Sequence, residues 1–267
     1  MKKHSYSIVK SDVFFSESYC RTYNSNKGID AAYSFAERIS YPVIVKPNTG
    51  LHGNGVQRVD SKNELRKALL NLFKDNEKVI VQKFVKGDDY RIVVYNGTFI
   101  SAYKRVPLTI IGDGGSTIQE ILDERIAEYH DSGRKFVLEM NKLKAVLKRQ
   151  KLTLRSVPKR GETLRLLDNA NLSAGGYAED VSDIIHPEYK QYAIHASRDL
   201  GLRLSGVDLM VQGNIADKPK KGKWYFLELN ASPGFHNFSE LNEKAYQRIE
   251  KLYRKILKDI QTKKLGI

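Results

Sequence analysis

Apolar positions along this chain change period repeatedly, and each change marks an element. In DAAYSFAERISY, Ala32, Phe35, Ala36 and Ile39 recur at helical spacing, and the PVIVKP that follows is short and β-branched. The pattern predicts a helix feeding a strand. SKNELRKALLNLF sets Ser61 and Glu64 in capping-box register ahead of a Leu65, Ala68, Leu69 and Leu72 stripe. Two apolar runs come next, KVIVQKFV and YRIVVYNGTFISAYKRV, and the Asn96-Gly97 pair within the second predicts a hairpin tip. STIQEILDERIAEYH reads as another capped helix, with Ser116 and Gln119 in the box positions. HPEYKQYAIHASRDLG carries Tyr189, Tyr192, Ala193, Ala196 and Leu200 on one face and stops at Gly201. The closing segment puts Ile249, Leu252, Tyr253, Ile256 and Ile260 on a further helical face. With no internal repeat and no long linker, the order predicts a mixed α/β (α+β) protein whose strands include antiparallel hairpins.

Size and charge narrow the picture. A chain of 267 residues with 41% hydrophobic content can bury a sizeable core and is not of disordered composition. No apolar run approaches the roughly 20 residues that cross a bilayer, and MKKHSYSIVKSDVFF lacks a signal-length apolar segment, so a cytoplasmic chain with no membrane partner is expected. Cys20 is the only cysteine, which excludes an intrachain disulfide or a cysteine-built zinc site. Lysine plus arginine exceed aspartate plus glutamate by 45 − 31 = 14, which favours anionic ligands such as nucleotides, acidic peptides or nucleic acid. The basic runs KLKAVLKRQK and KPKKGK lack interleaved aromatic residues, so nucleic acid is the weakest of these.

Chemistry enters with WYFLELNASPGF, where Glu228 and Asn230 interrupt an apolar strand. Residues two apart on a strand share a face, and a buried carboxylate there needs a cation or a donor. Upstream, LSGVDLMVQG is another strand-like run with one acid, Asp208. Paired as an antiparallel hairpin, the runs bring Asp208, Glu228 and Asn230 to one face as three hard oxygen donors suited to Mg²⁺ with a nucleotide. One polar face of an edge strand accounts for the same residues without a metal.

PVIVKPNTGLHGNGV sets Lys46 at a strand end ahead of Gly50, Gly53 and Gly55. Glycines let backbone amides turn to phosphate, although here the lysine precedes them, unlike a P-loop, and an ordinary turn uses the same residues. In IVQKFVKGDDYRI, the backbone from Lys83 to Val85 suits a purine and Asp89 suits ribose hydroxyls, while Asp88 and Asp89 equally suit a turn. Arg91 is read as a substrate contact or as the partner of Asp88 or Asp89. His52 in the glycine loop is read as solvated or phosphate-adjacent rather than as a base, and His195 as a structural residue near a helix's buried stripe.

In this order the segments VIVKP with its glycine loop, VQKFVKGDDYR, GVDLM and FLELNASPG resemble the ATP-grasp ligases, over roughly residues 31–240. AYKRVPLTIIGDGGSTIQEIL and LLDNANLSAGGYAEDVSDIIHP are similar to the cyanophycin synthetase and bifunctional glutathione synthetase branch, and more distantly to the ribosomal-protein glutamate ligases. The resemblance implies two α+β lobes with a nucleotide between them, a small lobe over 1–84 with the phosphate flap and a large lobe over 85–267 with the metal site. It implies ATP and a pair of Mg²⁺ ions, with Mn²⁺ as the alternative, and an ADP-forming joining of small-molecule or peptide acids and amines. A catalytically degenerate ATP-binding module is the competing reading.

By position, the resemblance gives catalytic roles to Lys46, Arg105 and Arg165. It gives nucleotide contacts to Lys46, Gly53, Gly55, Gln82, Lys83, Phe84, Val85, Asp89, Lys104, Asn169 and Asn171, and metal ligation to Asp208, Glu228 and Asn230. Gln82 stands where an acid is common, and Leu167 stands where that branch has an arginine that Arg165 could replace. The family's usual N-terminal domain reads as absent or minimal here. Lys10 as a substitute for its lysine, a homo-oligomer, or a separate partner supplying that domain are the open alternatives.

Overall fold

The structure is a computed structural model that describes residues 6–50, 53–131, 138–170 and 175–264. In chain order its elements are β1 (Ser11–Phe15), α1 (Glu17–Thr22), α2 (Ile29–Ile39), β2 (Val43–Pro47), β3 (Gln57–Val59), α3 (Lys62–Leu72), β4 (Lys78–Lys83), β5 (Asp88–Tyr95) and β6 (Thr98–Val106). Then follow β7 (Thr109–Ile111), α4 (Ile118–Asp131), α5 (Met140–Arg149), β8 (Thr163–Arg165), β9 (Tyr177–Asp180), α6 (Pro187–Asp199), β10 (Leu204–Val211), β11 (Trp224–Asn230), α7 (His236–Ser239) and α8 (Glu243–Lys264). They form two compact units, one from Val9–Val85 and Pro107–Gly176, the other from Met1–Ile8, Lys86–Val106 and Tyr177–Ile267. Among the described residues no helix is long and apolar enough to cross a membrane.

In the first unit, β1, β4, β2 and β3 form an antiparallel sheet in that order. Val43 and Val45 alternate inward from β2 and pack with Phe35 of α2 and Leu65 and Leu69 of α3. The Ser61 cap is in place, its hydroxyl accepting the Glu64 amide, while the Glu64 carboxylate takes the amide of Asp60. The rest of this unit pairs β7 with β8 and closes α4 and α5 over them, with Leu108, Ile118, Leu122, Leu143, Leu147 and Leu167 in the core. The α4 cap lies one residue beyond the expected Ser116 and Gln119. Thr117 Oγ1 accepts the Glu120 amide and Glu120 Oε2 accepts the Thr117 amide, because Asp113 has already engaged the Ser116 amide and hydroxyl.

The second unit is an antiparallel sheet in the order β11, β10, β5, β6, β9. Asn96 and Gly97 make the expected tip between β5 and β6, both at positive φ (49° and 71°), as a tight hairpin of the favoured hand requires. Tyr90, Ile92, Val207, Leu209, Trp224 and Phe226 face α6 and form one core. On the other face Phe238 of α7 stacks on Tyr103, and Asp259 of α8 accepts from the Tyr95 hydroxyl. Two expected stripes are only partly buried. Leu200 follows the last turn of α6 and is exposed, and on α8 burial ends after Ile249 and Leu252, leaving Tyr253 and Ile260 in solvent.

Candidate functional site

Strand register assembles a charged face on the five-stranded sheet. Asp208 of β10 lies opposite Arg91 of β5 on one side and Glu228 of β11 on the other, and Asp89 lies opposite Arg105 of β6. β11 reaches this register through a bulge, since Leu209 pairs with Phe226 but Asp208 with Glu228, leaving Leu227 as the extra residue. Unbroken alternation from Trp224 and Phe226 would send Glu228 and Asn230 to the side of those buried rings. The bulge turns them to the Asp208 face instead, the re-aiming that bulges perform beside functional groups.

Asp208 is 1% exposed. Its Oδ1 accepts from Arg91 Nε at 2.7 Å, and its Oδ2 accepts from Arg91 Nη2 at 2.7 Å and Arg105 Nη2 at 2.9 Å. Arg105 also donates to Asp89 Oδ1 from Nε at 3.0 Å and Nη2 at 2.6 Å. Burial works against the Asp208 charge, yet Arg105 and Arg91 together outweigh it and hold the carboxyl below the usual carboxylate range. Burial pushes the Asp89 carboxyl up, against the pull of Arg105. Arg91 therefore pairs with Asp208, and neither Asp88 nor Asp89 is the partner read from sequence proximity; cross-strand register decides. At the open end of the face, Asn230 Nδ2 donates to Glu228 Oε1 at 3.2 Å. Lys104, next to Arg105 and thus on the opposite face of β6, pairs with Asp88 at 3.0 Å.

The four-stranded unit separates its candidates too. Lys46 and Gln82 share the sheet face away from the helices, for Ile44 pairs with Gln82 and Lys46 with Ile80. Lys83, opposite Val43, falls on the helix-covered face, where its Nζ donates to the Ile39 and Ser40 carbonyls at 2.7 and 3.0 Å. These are the open carbonyls at the end of α2, which a cation commonly satisfies. The Lys83 amide donates to the Lys10 carbonyl, so the two lysines are neighbours in the backbone. Phe84 lies beneath the Arg58 guanidinium, 4.5 Å from ring centroid to Cζ, and Val85 beyond it is half-buried.

Gly53 and Asn169 adjoin, since a Cβ on Gly53 would come within 2.9 Å of Asn169 Nδ2. Lys142 donates to the Gly53 carbonyl at 3.5 Å, and Arg149 pairs with Asp168 next to Asn169. Neither cation was singled out from the sequence, because only long-range packing brings α5 to the glycine loop. Arg165 donates to the Leu167 and Asp168 carbonyls, and Leu167 itself is buried among leucines. His195 is exposed on α6 rather than against its buried stripe. His52 and Asn171 lie outside the described residues.

Residues 17–111 match the family model "D-ala D-ala ligase C-terminus", and residues 157–251 match "RimK-like ATP-grasp domain". The chain belongs to the ATP-grasp superfamily. This ATP-grasp chain is 31% identical over 202 residues to the glutathione biosynthesis bifunctional protein GshAB of Clostridium perfringens (strain 13 / Type A), which covers 73% of the chain and 26% of that protein. It is 35% identical over 204 residues to a cyanophycin synthetase of Crocosphaera subtropica (strain ATCC 51142 / BH68), covering 73% and 23%. The chain spans about a quarter of the length of these curated relatives. In fold it is similar to a bifunctional glutathione synthetase from Pasteurella multocida, with a TM-score of 0.54 at 23% identity over 95% of this chain and 35% of that one. The ATP-grasp fold expected from the motif order is thus the observed one.

Proposed function

We propose that this chain is an ADP-forming carboxylate–amine ligase that activates its acid with ATP. The observation that carries the reading is the polar sheet face where Asp208, Glu228 and Asn230 meet Arg91 and Arg105, in a chain of this superfamily. An oxygen of the acid bonds to the γ-phosphorus as ADP leaves; the amine then attacks the acyl carbon, phosphate departs and the amine nitrogen loses a proton. Negative charge gathers on the transferring phosphoryl group, and Arg105 and Arg91, already oriented by Asp208 and Asp89, stabilise it with no reorganisation of their own.

The donor set fits a hard divalent ion. A carboxylate offers about four lone-pair sites, and guanidinium groups take three of those on Asp208. One remains for a metal, beside the Glu228 carboxylate and the Asn230 amide oxygen. In this reading the Asn230 amide oxygen is the third donor, its Nδ2 being turned to Glu228 Oε1. Mg²⁺ held there, singly or as a pair, would offset the charge of the ATP phosphates.

Lys46 with Gly53 and Gly55 binds phosphate in this reading. The nucleotide roles that the family resemblance gives Gln82, Phe84, Val85 and Asn169 are kept in this reading, as is the catalytic role of Arg165, while Lys83, bonded to the Ile39 and Ser40 carbonyls, and Lys104, paired with Asp88, stand apart from it. Asp89, as ribose acceptor, shares its carboxylate with Arg105. In this reading residues 1–84 are the small lobe and 85–267 the large one, although residues 107–176 belong to the same compact unit as Val9–Val85.

The second reading, a degenerate ATP-binding module, is favoured by two observations. Guanidinium groups occupy both Asp208 oxygens, and backbone carbonyls engage the Lys83 ammonium. Incubation with ATP, Mg²⁺ and a panel of amino acids and acidic peptides separates the two. ADP release that requires both an acid and an amine supports the ligase; tight ATP binding without ADP release supports the module. Glu228→Gln should lower ADP release by roughly a hundredfold or more, and a near-normal rate removes Glu228 from the metal site.

A further inference from the structure

Eight of the chain's cations fall in residues 140–161, and no acid falls there (Lys142, Lys144, Lys148, Arg149, Lys151, Arg155, Lys159 and Arg160). Three of the eight are engaged. Lys142 pairs with Glu139, Arg149 with Asp168, and Arg160 donates to the Asp113 carbonyl. Among the described residues the other five, all exposed, form no ion pair. Like charges so close repel one another, and a surface with this much unanswered charge attracts anions.

The frame beneath these side chains is fixed. Leu143, Val146 and Leu147 bury the apolar side of α5, and α5 ends in paired bonds from the Leu152 amide to Leu147 and from the Lys151 amide to Lys148. The next stretch is pinned by the Ile118 amide on Ser156 and the Gln119 amide on Leu154. Further on, the backbone at Lys159 passes so close to Gly112 that a Cβ there would lie 2.3 Å from the Lys159 carbonyl oxygen. A ligand meeting this surface has little backbone left to order. Lys151 holds the left-handed position after the helix (φ 59°), where glycine is the unstrained choice.

We propose that Lys144, Lys148, Lys151, Arg155 and Lys159 form a docking strip for an acidic peptide segment. Lys144 and Lys148 stand one helical turn apart, about 6 Å along the axis, close to the roughly 6.6 Å between same-side residues of an extended peptide. The surroundings disfavour the other polyanions. From residue 137 to 176 the sequence has no aromatic residue on which a base could stack. A lipid surface calls for an exposed apolar stripe, whereas Leu143, Val146 and Leu147 of α5 are buried and, among the described residues, the only large apolar side chains exposed within 140–161 are Met140 and Val157.

The strip goes beyond the ligase reading, and its test needs neither nucleotide nor metal. Binding of a dye-labelled ten-residue oligoglutamate to the full chain, followed by fluorescence anisotropy, should be measurable at low salt and weaken as salt rises. Lys148→Ser/Lys151→Ser/Arg155→Ser should weaken it about tenfold or more. Lys151→Gly alone should weaken binding while leaving the thermal midpoint equal or higher, because it relieves the left-handed strain. Peptide binding unchanged in the triple variant overturns the proposal. So does tighter binding of a ten-nucleotide single strand, or of phosphatidylserine vesicles, than of the peptide at the same salt.

Discussion

On the polar face of the five-stranded sheet, charge answers charge directly from side chain to side chain, whereas in the GDGGST turn of the other unit a hydroxyl and two backbone amides do that work. Asp208 is buried and Asp89 half-buried, and the Arg91 and Arg105 guanidinium groups hold them. Asp113, in the exposed GDGGST turn, is held by the Gly115 and Ser116 amides at 2.8 Å each and by the Ser116 hydroxyl at 2.6 Å. Burial explains the contrast, since a charge removed from water needs a counter-charge close by, while an exposed one needs only a few well-aimed dipoles. A sheet supplies the first through register between rigid strands. A loop supplies the second only where its backbone can turn, which is why glycine gathers there.

The largest effect should come from breaking the sheet network. Asp208→Asn leaves two half-buried guanidinium groups facing a neutral amide, Arg105 keeping only Asp89, and stability without nucleotide or divalent ion should fall by roughly 3 kcal/mol. Urea unfolding measures it. Replacing Arg91 and Asp208 together by Met and Leu should recover part of that loss, because the uncompensated charge then disappears with its partner. A single variant within about 1 kcal/mol of the wild type would mean that the face does not depend on direct counter-charge, and the contrast with the loops would collapse.

Much of this contrast was legible in the chain itself. The period-two runs around Asp208 and Glu228 gave the hairpin, the Asn96-Gly97 pair gave its neighbour's tip, and oxygen donors in apolar strands marked the face. What stayed hidden depends on register and long-range packing. The bulge at Leu227 has no local signature in WYFLELN, yet it decides which face Glu228 joins. Arg91 offered two acids nearby in sequence, but its partner is 117 positions away. Lys83 resembles a nucleotide lysine, and only the fold reveals that the end of α2 engages its ammonium. The α4 cap slipped because Asp113 competes for Ser116, a choice between adjacent caps too fine for spacing to settle.

A smaller effect sharpens the loop side. Gly55 sits at φ 71°, and a Cβ there would meet Pro47 Cγ at 2.8 Å and Leu72 Cδ2 at 3.2 Å. Gly97 has the same φ of 71° with nothing within 4 Å. Gly97→Ala should therefore cost only the left-handed penalty of about 1–2 kcal/mol, and Gly55→Ala should add a packing penalty of roughly 1 kcal/mol or more. Their difference in urea unfolding isolates the close approach. Equal losses would show that the loop yields at Pro47 and that backbone conformation alone sets the need for glycine.

The smallest effect concerns pH and tests whether neutral dipoles, a hydroxyl and two amides, suffice for an exposed acid. The Ser116 hydroxyl, then the Gly115 and Ser116 amides, lower the Asp113 carboxyl from 3.8 to about 2. Because the folded value is the lower one, its contribution is complete above pH 3.8 and fades as pH falls through about 2. Asp113→Asn lacks that contribution at every pH, so wild type should lead at neutral pH and the gap should close across this window. Urea midpoints taken from about pH 5 down to about pH 2 measure it. A gap that stayed constant through the window would mean that the charge is not what the amides hold, and the turn would owe its shape to the neutral hydrogen bonds that the substituted amide could still make.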